Sequence, residues 1–160
     1  MNNFIPVNTP LLNGNELKYV SECIQDGWIS SEGPMVKRFE DEFAKYCGRK
    51  YGIAVSNGTV SLDIAVKALG ISDGDEVIIP TFTIISCASS IVLAGAKPVV
   101  VDCDPENWNI NIHKIEEAIT PKTKAIMPVH IYGLPNDSIR GKNVEALEIF
   151  LLLVFIPIST

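Results

Sequence analysis

The sequence predicts an α/β fold, a mainly parallel sheet covered by helices on both faces. Short uncharged or nearly uncharged apolar runs, EVIIP at 76–80, PVVVD at 98–102 and KAIMPV at 124–129, alternate with helical periodicity. Strands that read as continuous apolar runs are those buried on both faces, and their alternation with helices is the arrangement a parallel sheet requires. The 160 residues are 47% hydrophobic, with mean hydropathy +0.23, enough for one ordinary domain with a sizeable core.

Each element follows in order. Asn13, Gly14 and Asn15 form a turn and cap signal, after which Leu17, Val20 and Ile24 recur at helical spacing up to a stop at Gly27. Val36, Phe39, Phe43 and Cys47 mark a second amphipathic helix that Gly48 ends. Residues 51–56 read as a short strand. A helix over 59–69 carries Leu62, Ala65, Val66 and Leu69 on one face, with Gly70 where a C-terminal glycine belongs. A turn at 73–75 leads into the strand at 76–80. Residues 83–93, apolar nearly all round, read as a buried helix or partly irregular segment, ended by Gly95. The strand at 98–102, a short helix at 113–119 and a strand at 124–129 complete a count of four strands. After Pro135 the pattern breaks, and residues 149–158 carry no charge. Ten residues are too few to cross a bilayer, which takes ~20.

Charge and cysteine usage narrow the function. The formal net charge is −6, and an acidic chain without a basic run has few cations to exchange for phosphate counterions, which argues against nucleic-acid binding. Cys23, Cys47, Cys87 and Cys103 form no CxxC pair and have no histidine at ligand spacing, so no metal site is expected. They read as reduced, buried thiols of a cytoplasmic protein.

Four stretches can carry chemistry. Ser56, Asn57, Gly58 and Thr59 lie between an expected strand and an expected helix. Helix N-terminal amides favour an anion, and glycine lets a phosphate approach the main chain. The same residues also suit an ordinary turn with a capping threonine. Thr81, Phe82 and Thr83 follow a strand, at the end where α/β sheets bind ligands, and Phe82 suits either stacking or core packing. His130 and Tyr132 follow the last strand, with His130 a base, a substrate contact or a hydrogen-bonded structural residue. Trp28, Ser30 and Ser31 occupy an exposed-looking loop. Asp102 and Asp104 suit a turn at Asp104-Pro105 better than a metal.

Taken together, GNELKYV, GWISSEGP, VKRFEDEFAKYCG, AVSNGTVSLDIAVKALGI, GDEVIIPTFT, GAKPVVVDCDPENWNI and TKAIMPVHIYGLP resemble the DegT/DnrJ/StrS-type sugar aminotransferases, from about residue 6 to 137. The resemblance implies the N-terminal part of the large domain of the aspartate-aminotransferase fold, incomplete here. It implies pyridoxal 5′-phosphate as cofactor, a keto nucleotide-sugar substrate, glutamate as amino donor and a homodimer, in amino-sugar biosynthesis. Ser56, Asn57, Gly58 and Thr59 would hold the cofactor phosphate. Ile84 stands where many members place a ring against the pyridine, with Phe82 two residues earlier as the other candidate. Trp28, Ser30, His130 and Tyr132 would lie near the sugar nucleotide. The family's Schiff-base lysine and the acidic partner of the pyridine nitrogen are absent, and neither Lys67 nor Lys97 stands in that context. The expectation is a partial domain over 1–137 and a divergent tail over 138–160, as from a frameshift or early end, the chain being inactive alone. The alternative is a non-catalytic ligand-binding or partner-binding fragment.

Overall fold

In the computed structural model, residues 5–6 and 9–136 are described. They contain five α-helices, α1 (Glu16–Gln25), α2 (Pro34–Tyr46), α3 (Gly58–Ala68), α4 (Ile85–Leu93) and α5 (Ile112–Ala118). The strands are β1 (Glu76–Pro80), β2 (Lys97–Val101) and β3 (Thr123–Ile126). The chain divides into two compact units between Ala54 and Val55.

The first unit holds α1 and α2. Both form where the periodicity places them, and Pro34 opens α2 at a position where its missing N–H costs nothing. On α2, Lys37 with Asp41 and Arg38 with Glu42 pair one turn apart. The apolar stripe of α1 is not a core face: Leu17 is 80% exposed and Ile24 63%. The strand expected over 51–56 is also absent. The carbonyl oxygen of Glu40 comes so close to Gly52 that a Cβ there would lie 2.4 Å away, and Glu40 Oε1 accepts from the Ala54 N–H at 2.9 Å. The backbone of 52–54 is thus tied to a helix, not to a strand, and Ile53 faces solvent.

The second unit is built on a parallel three-stranded sheet in the order β2-β1-β3, so three of the four expected strands form. Val77, Ile78, Ile79 and Pro80 of β1 oppose Pro98, Val99, Val100 and Val101 of β2. Val77 and Ile78 oppose Ala125 and Ile126 of β3, and the Met127 N–H reaches the Ile78 carbonyl just past the ladder. All five residues of β1 are buried, as a central strand requires. β2 is an edge among the described residues, and its valine run is less buried than its composition suggests.

Alternation along β1 sends side chains to two cores. Val77 and Ile79 pack with Leu62 and Val66 of α3 and Cys87 and Ile91 of α4. Ile78 packs with Val101, Ile110, Ile115 of α5 and Ile126. Gly70 and Gly95 end α3 and α4 in the left-handed conformation, at φ 68° and 84°. The run at 83–93 is helical only from Ile85, and it is not buried all round: Cys87, Ser90 and Ile91 face the core, whereas Ile85 and Leu93 are exposed. Of the four cysteines, all free, only Cys87 is fully buried.

At the amino end of the sheet, buried Glu76 clamps two connections. Its Oε2 accepts from the Thr120 hydroxyl at 2.6 Å, and its Oε1 lies 3.3 Å from Lys97 Nζ. The Thr120 hydrogen bond, opposed by burial and reinforced by Lys97, holds the Glu76 carboxyl below the usual range. A depressed carboxylate stabilises the fold above its unfolded pKa and loses that contribution as pH falls through its folded value. Glu76→Gln should therefore flatten the acid limb of the unfolding midpoint against pH, measured by circular dichroism from pH 7 to 3, and leave the neutral limb parallel to that of the parent.

Candidate functional site

Asn57, and not Thr59, caps α3. Its extended backbone places Oδ1 to accept from the Val60 N–H at 3.0 Å, while its carbonyl accepts from Ser61. The amides of Gly58 and Thr59 precede these bonds and belong to the helix end whose dipole is positive. Because Asn57 does the capping, the Thr59 hydroxyl is released for another contact. It lies 3.0 Å from the hydroxyl of Ser86, in the first turn of α4. The N-cap of α4 is Ile84, whose side chain offers no cap. Two helix starts thus meet through a pair of hydroxyls, with Ser56 exposed beside them and hydrogen-bonded to Asn57. A phosphate is the group such a cradle suits: amide donors, hydroxyl donors and two helix dipoles.

A second cluster gathers beyond the carboxyl ends of the strands. Phe82 is not core. It is 41% exposed, and its ring centroid lies 5.6 Å from Trp108 and 6.4 Å from Tyr132. Cys103 Sγ accepts from the Phe82 N–H at 3.4 Å and lies 3.4 Å from the Thr81 hydroxyl, joining the ends of β1 and β2. The loop after β3 is held by Asn109, a buried amide. Its Nδ2 donates to the carbonyls of Leu134 and Pro135, at 3.4 and 3.0 Å, and its Oδ1 accepts from the Ile131 N–H at 3.4 Å. In that loop His130 Nδ1 accepts from the Asn136 N–H at 3.0 Å.

Other expected residues take structural parts. Asp104 Oδ1 accepts from the Glu106 N–H in a turn, and Asp102 pairs with Lys114 at 2.6 Å. Burial pushes the Cys87 thiol up, against a hydrogen bond donated by Thr83, so it is no nucleophile. Trp28 and Ser30 belong to the first unit. There Trp28 donates its N–H to the Cys23 carbonyl and flanks Gly33, and Ser30 donates to the Glu32 carbonyl. Three participants escaped the sequence reading: Ser86, Trp108 and Asn109. Ser86 sits in an otherwise apolar run, where a hydroxyl at a helix start is a weak signal. Trp108 and Asn109 lie in the ENWNIN run, just after the turn expected at Asp104-Pro105.

Residues 10–146 match the DegT/DnrJ/EryC1/StrS aminotransferase family. The chain is 53% identical over 129 residues to the GDP-perosamine synthase of Caulobacter vibrioides, covering 81% of this chain and 35% of that protein. It is 51% identical over 134 residues to the GDP-perosamine synthase of Escherichia coli O157:H7, covering 84% and 37%. Among solved structures, NtdA of Bacillus subtilis with bound cofactor PMP aligns with a TM-score of 0.70 at 39% identity, over 76% of this chain and 28% of that one. The chain therefore spans about a third of the length of the relatives it matches. Aminotransferases of this family use pyridoxal phosphate. By its matched residues and its fold, the chain belongs to the DegT/DnrJ/EryC1/StrS aminotransferase family.

Proposed function

We propose that this chain carries the cofactor-phosphate portion of a sugar aminotransferase. The reaction is transfer of an amino group from glutamate to a keto nucleotide sugar, in amino-sugar and polysaccharide biosynthesis, by a cytoplasmic homodimer. The observation that carries this reading is the meeting of α3 and α4 at Thr59 and Ser86.

Gly58 and Thr59 would bind the phosphate through their amides, with the Ser56, Thr59 and Ser86 hydroxyls completing the donor set and Asn57 fixing the helix start. Ile84 lies at the turn into α4 and would meet the pyridine ring; Phe82 is the alternative neighbour. His130 and Tyr132 would contact the sugar nucleotide. Bound pyridoxal phosphate supplies the carbonyl and the electron sink that amino transfer uses.

The described lysines of the second unit support a chain that binds without turning over. Lys97 and Lys124 belong to the amino-end portions of their strands, Lys122 immediately precedes β3, Lys97 pairs with Glu76, and Lys114 pairs with Asp102. Lys67 is in the last turn of α3, away from the cradle end of that helix. The divergent tail over 138–160 lies outside the described residues and is proposed to contribute no catalytic group.

The purified chain should retain pyridoxal 5′-phosphate in equilibrium dialysis and bind pyridoxal, which lacks the phosphate, far more weakly. Thr59→Val should weaken retention about tenfold, the scale of one charge-assisted hydrogen bond. Borohydride should fix no stoichiometric adduct. Equal binding of the two compounds would overturn the cradle. A reducible adduct at one lysine would overturn the absence of turnover.

A further inference from the structure

The phosphate cradle and the loop that carries Trp108 belong to elements that pack on opposite faces of the sheet. The helices that form the cradle, α3 and α4, pack over Val77 and Ile79. Trp108 lies in the loop that leads through Ile110 to α5, and Ile110 and Ile115 pack with Ile78 on the other face. Phe82 turns toward this second group, contacting Trp108 and Tyr132 at interplanar angles of 62° and 56°. Ile84, two residues on, stays with the start of α4. The two candidates for one ring-stacking role therefore have different neighbours.

Core formation does not account for the three rings, since Trp108 is 59% exposed and Tyr132 90%. Yet both are held with unusual insistence. They are the two described non-glycine residues with left-handed backbone, at φ 64° and 48°. That conformation is unfavourable for a bulky side chain and persists only where the surroundings impose it. Here the surroundings do so through polar contacts. The Trp108 N–H donates to the Asp104 carbonyl at 2.8 Å, and the Asp104 N–H donates to the Asn109 carbonyl at 2.8 Å. The buried Asn109 amide then spans to the loop that bears Tyr132. Exposed rings fixed in strained backbone by a buried polar anchor are a preorganised surface, with side-chain entropy already spent before a ligand arrives. None of the ring contacts is a parallel stack, so the cluster has not closed on itself.

We infer that Phe82, Trp108 and Tyr132 form a stacking subsite for the base of a nucleotide, separate from the phosphate cradle, and that Trp108 is a specificity-determining ring of the substrate site. A nucleobase offers the flat π-face that such rings receive. This rests on the reading of the substrate as a nucleotide sugar, and it moves Phe82 from the cofactor to the substrate.

The chain has two tryptophans, and the difference in emission between the unsubstituted chain and Trp108→Leu reports on Trp108. GDP should quench its emission saturably, and ribose 5-phosphate should not. Trp108→Leu should weaken GDP binding in equilibrium dialysis about tenfold or more, leave retention of pyridoxal 5′-phosphate unchanged, and be rescued by Trp108→Phe. Thr59→Val should do the reverse. On the unsubstituted chain, saturation-transfer NMR with GDP-mannose should deliver most magnetisation to the guanine H8. Delivery to the mannose protons, equal quenching by ribose 5-phosphate, or undiminished GDP binding by Trp108→Leu would overturn the inference. Loss of discrimination between pyridoxal phosphate and pyridoxal, with GDP quenching intact, would instead fault the cofactor reading alone.

Discussion

Ile78→Ala is expected to destabilise the second unit by about 2–5 kcal/mol, the range for truncating a buried isoleucine. Ile78 is fully buried at the middle of the central strand, opposite Val99 on one side and Ile126 on the other. Its side chain fills a small core with Val101, Ile110, Ile115 and Ile126. A cluster of that size has few residues able to shift into the vacated volume, which places the cost toward the upper part of the range. Domains are stable by only about 5–15 kcal/mol, so the fraction unfolded should rise by orders of magnitude. Urea unfolding followed by circular dichroism gives the midpoint. Val100→Ala, on the exposed side of β2, is the control and should change stability by no more than about 0.5 kcal/mol. Equal midpoint shifts for the two variants would mean that the small core is not closed around Ile78.

Asn109→Ala is expected to act locally where Ile78→Ala acts globally. Deleting the amide strands two carbonyls and one N–H of the 131–135 segment. An unsatisfied polar group costs about 1–3 kcal/mol where water cannot replace its partner. The segment after Met127 has no ladder to fall back on, since β3 ends at Ile126. Amide exchange of the Ile131 and Leu134 N–H groups should accelerate, and chymotrypsin should cleave after Tyr132 more readily. Exchange within β1 should stay unchanged. Equal acceleration in β1 would show that Asn109 supports the whole unit and not one loop.

The sequence revealed what is local. Glycines and Asp-Gly turns marked the helix stops, and the apolar run at 77–80 marked the central strand, whose one charge, Glu76, sits at its amino end against Lys97. The turn at 56–59 was legible as an anion site from residue types alone. What the sequence hid depends on partners distant along the chain. Residues 51–56 have strand composition, but their backbone groups go to Glu40 of α2. The stripe of Leu17, Val20 and Ile24 has helical period and forms a helix, yet period does not say whether anything covers it. Thr59 looked like a cap until Asn57 proved to hold that place, and Ser86 gained meaning only when α4 came beside α3. Phe82 was ambiguous for the same reason: its neighbours come from beyond β2 and β3.

The strand order also carries a lesson about birth order. Because β1 lies between β2 and β3, the middle of the sheet leaves the ribosome before either flank. The most apolar strand must therefore wait, first for one neighbour and then for the other. During that interval a nascent chain shows its stickiest ribbon to solvent, and a chaperone that grips EVIIP would be holding the seed on which the rest of the sheet must crystallise.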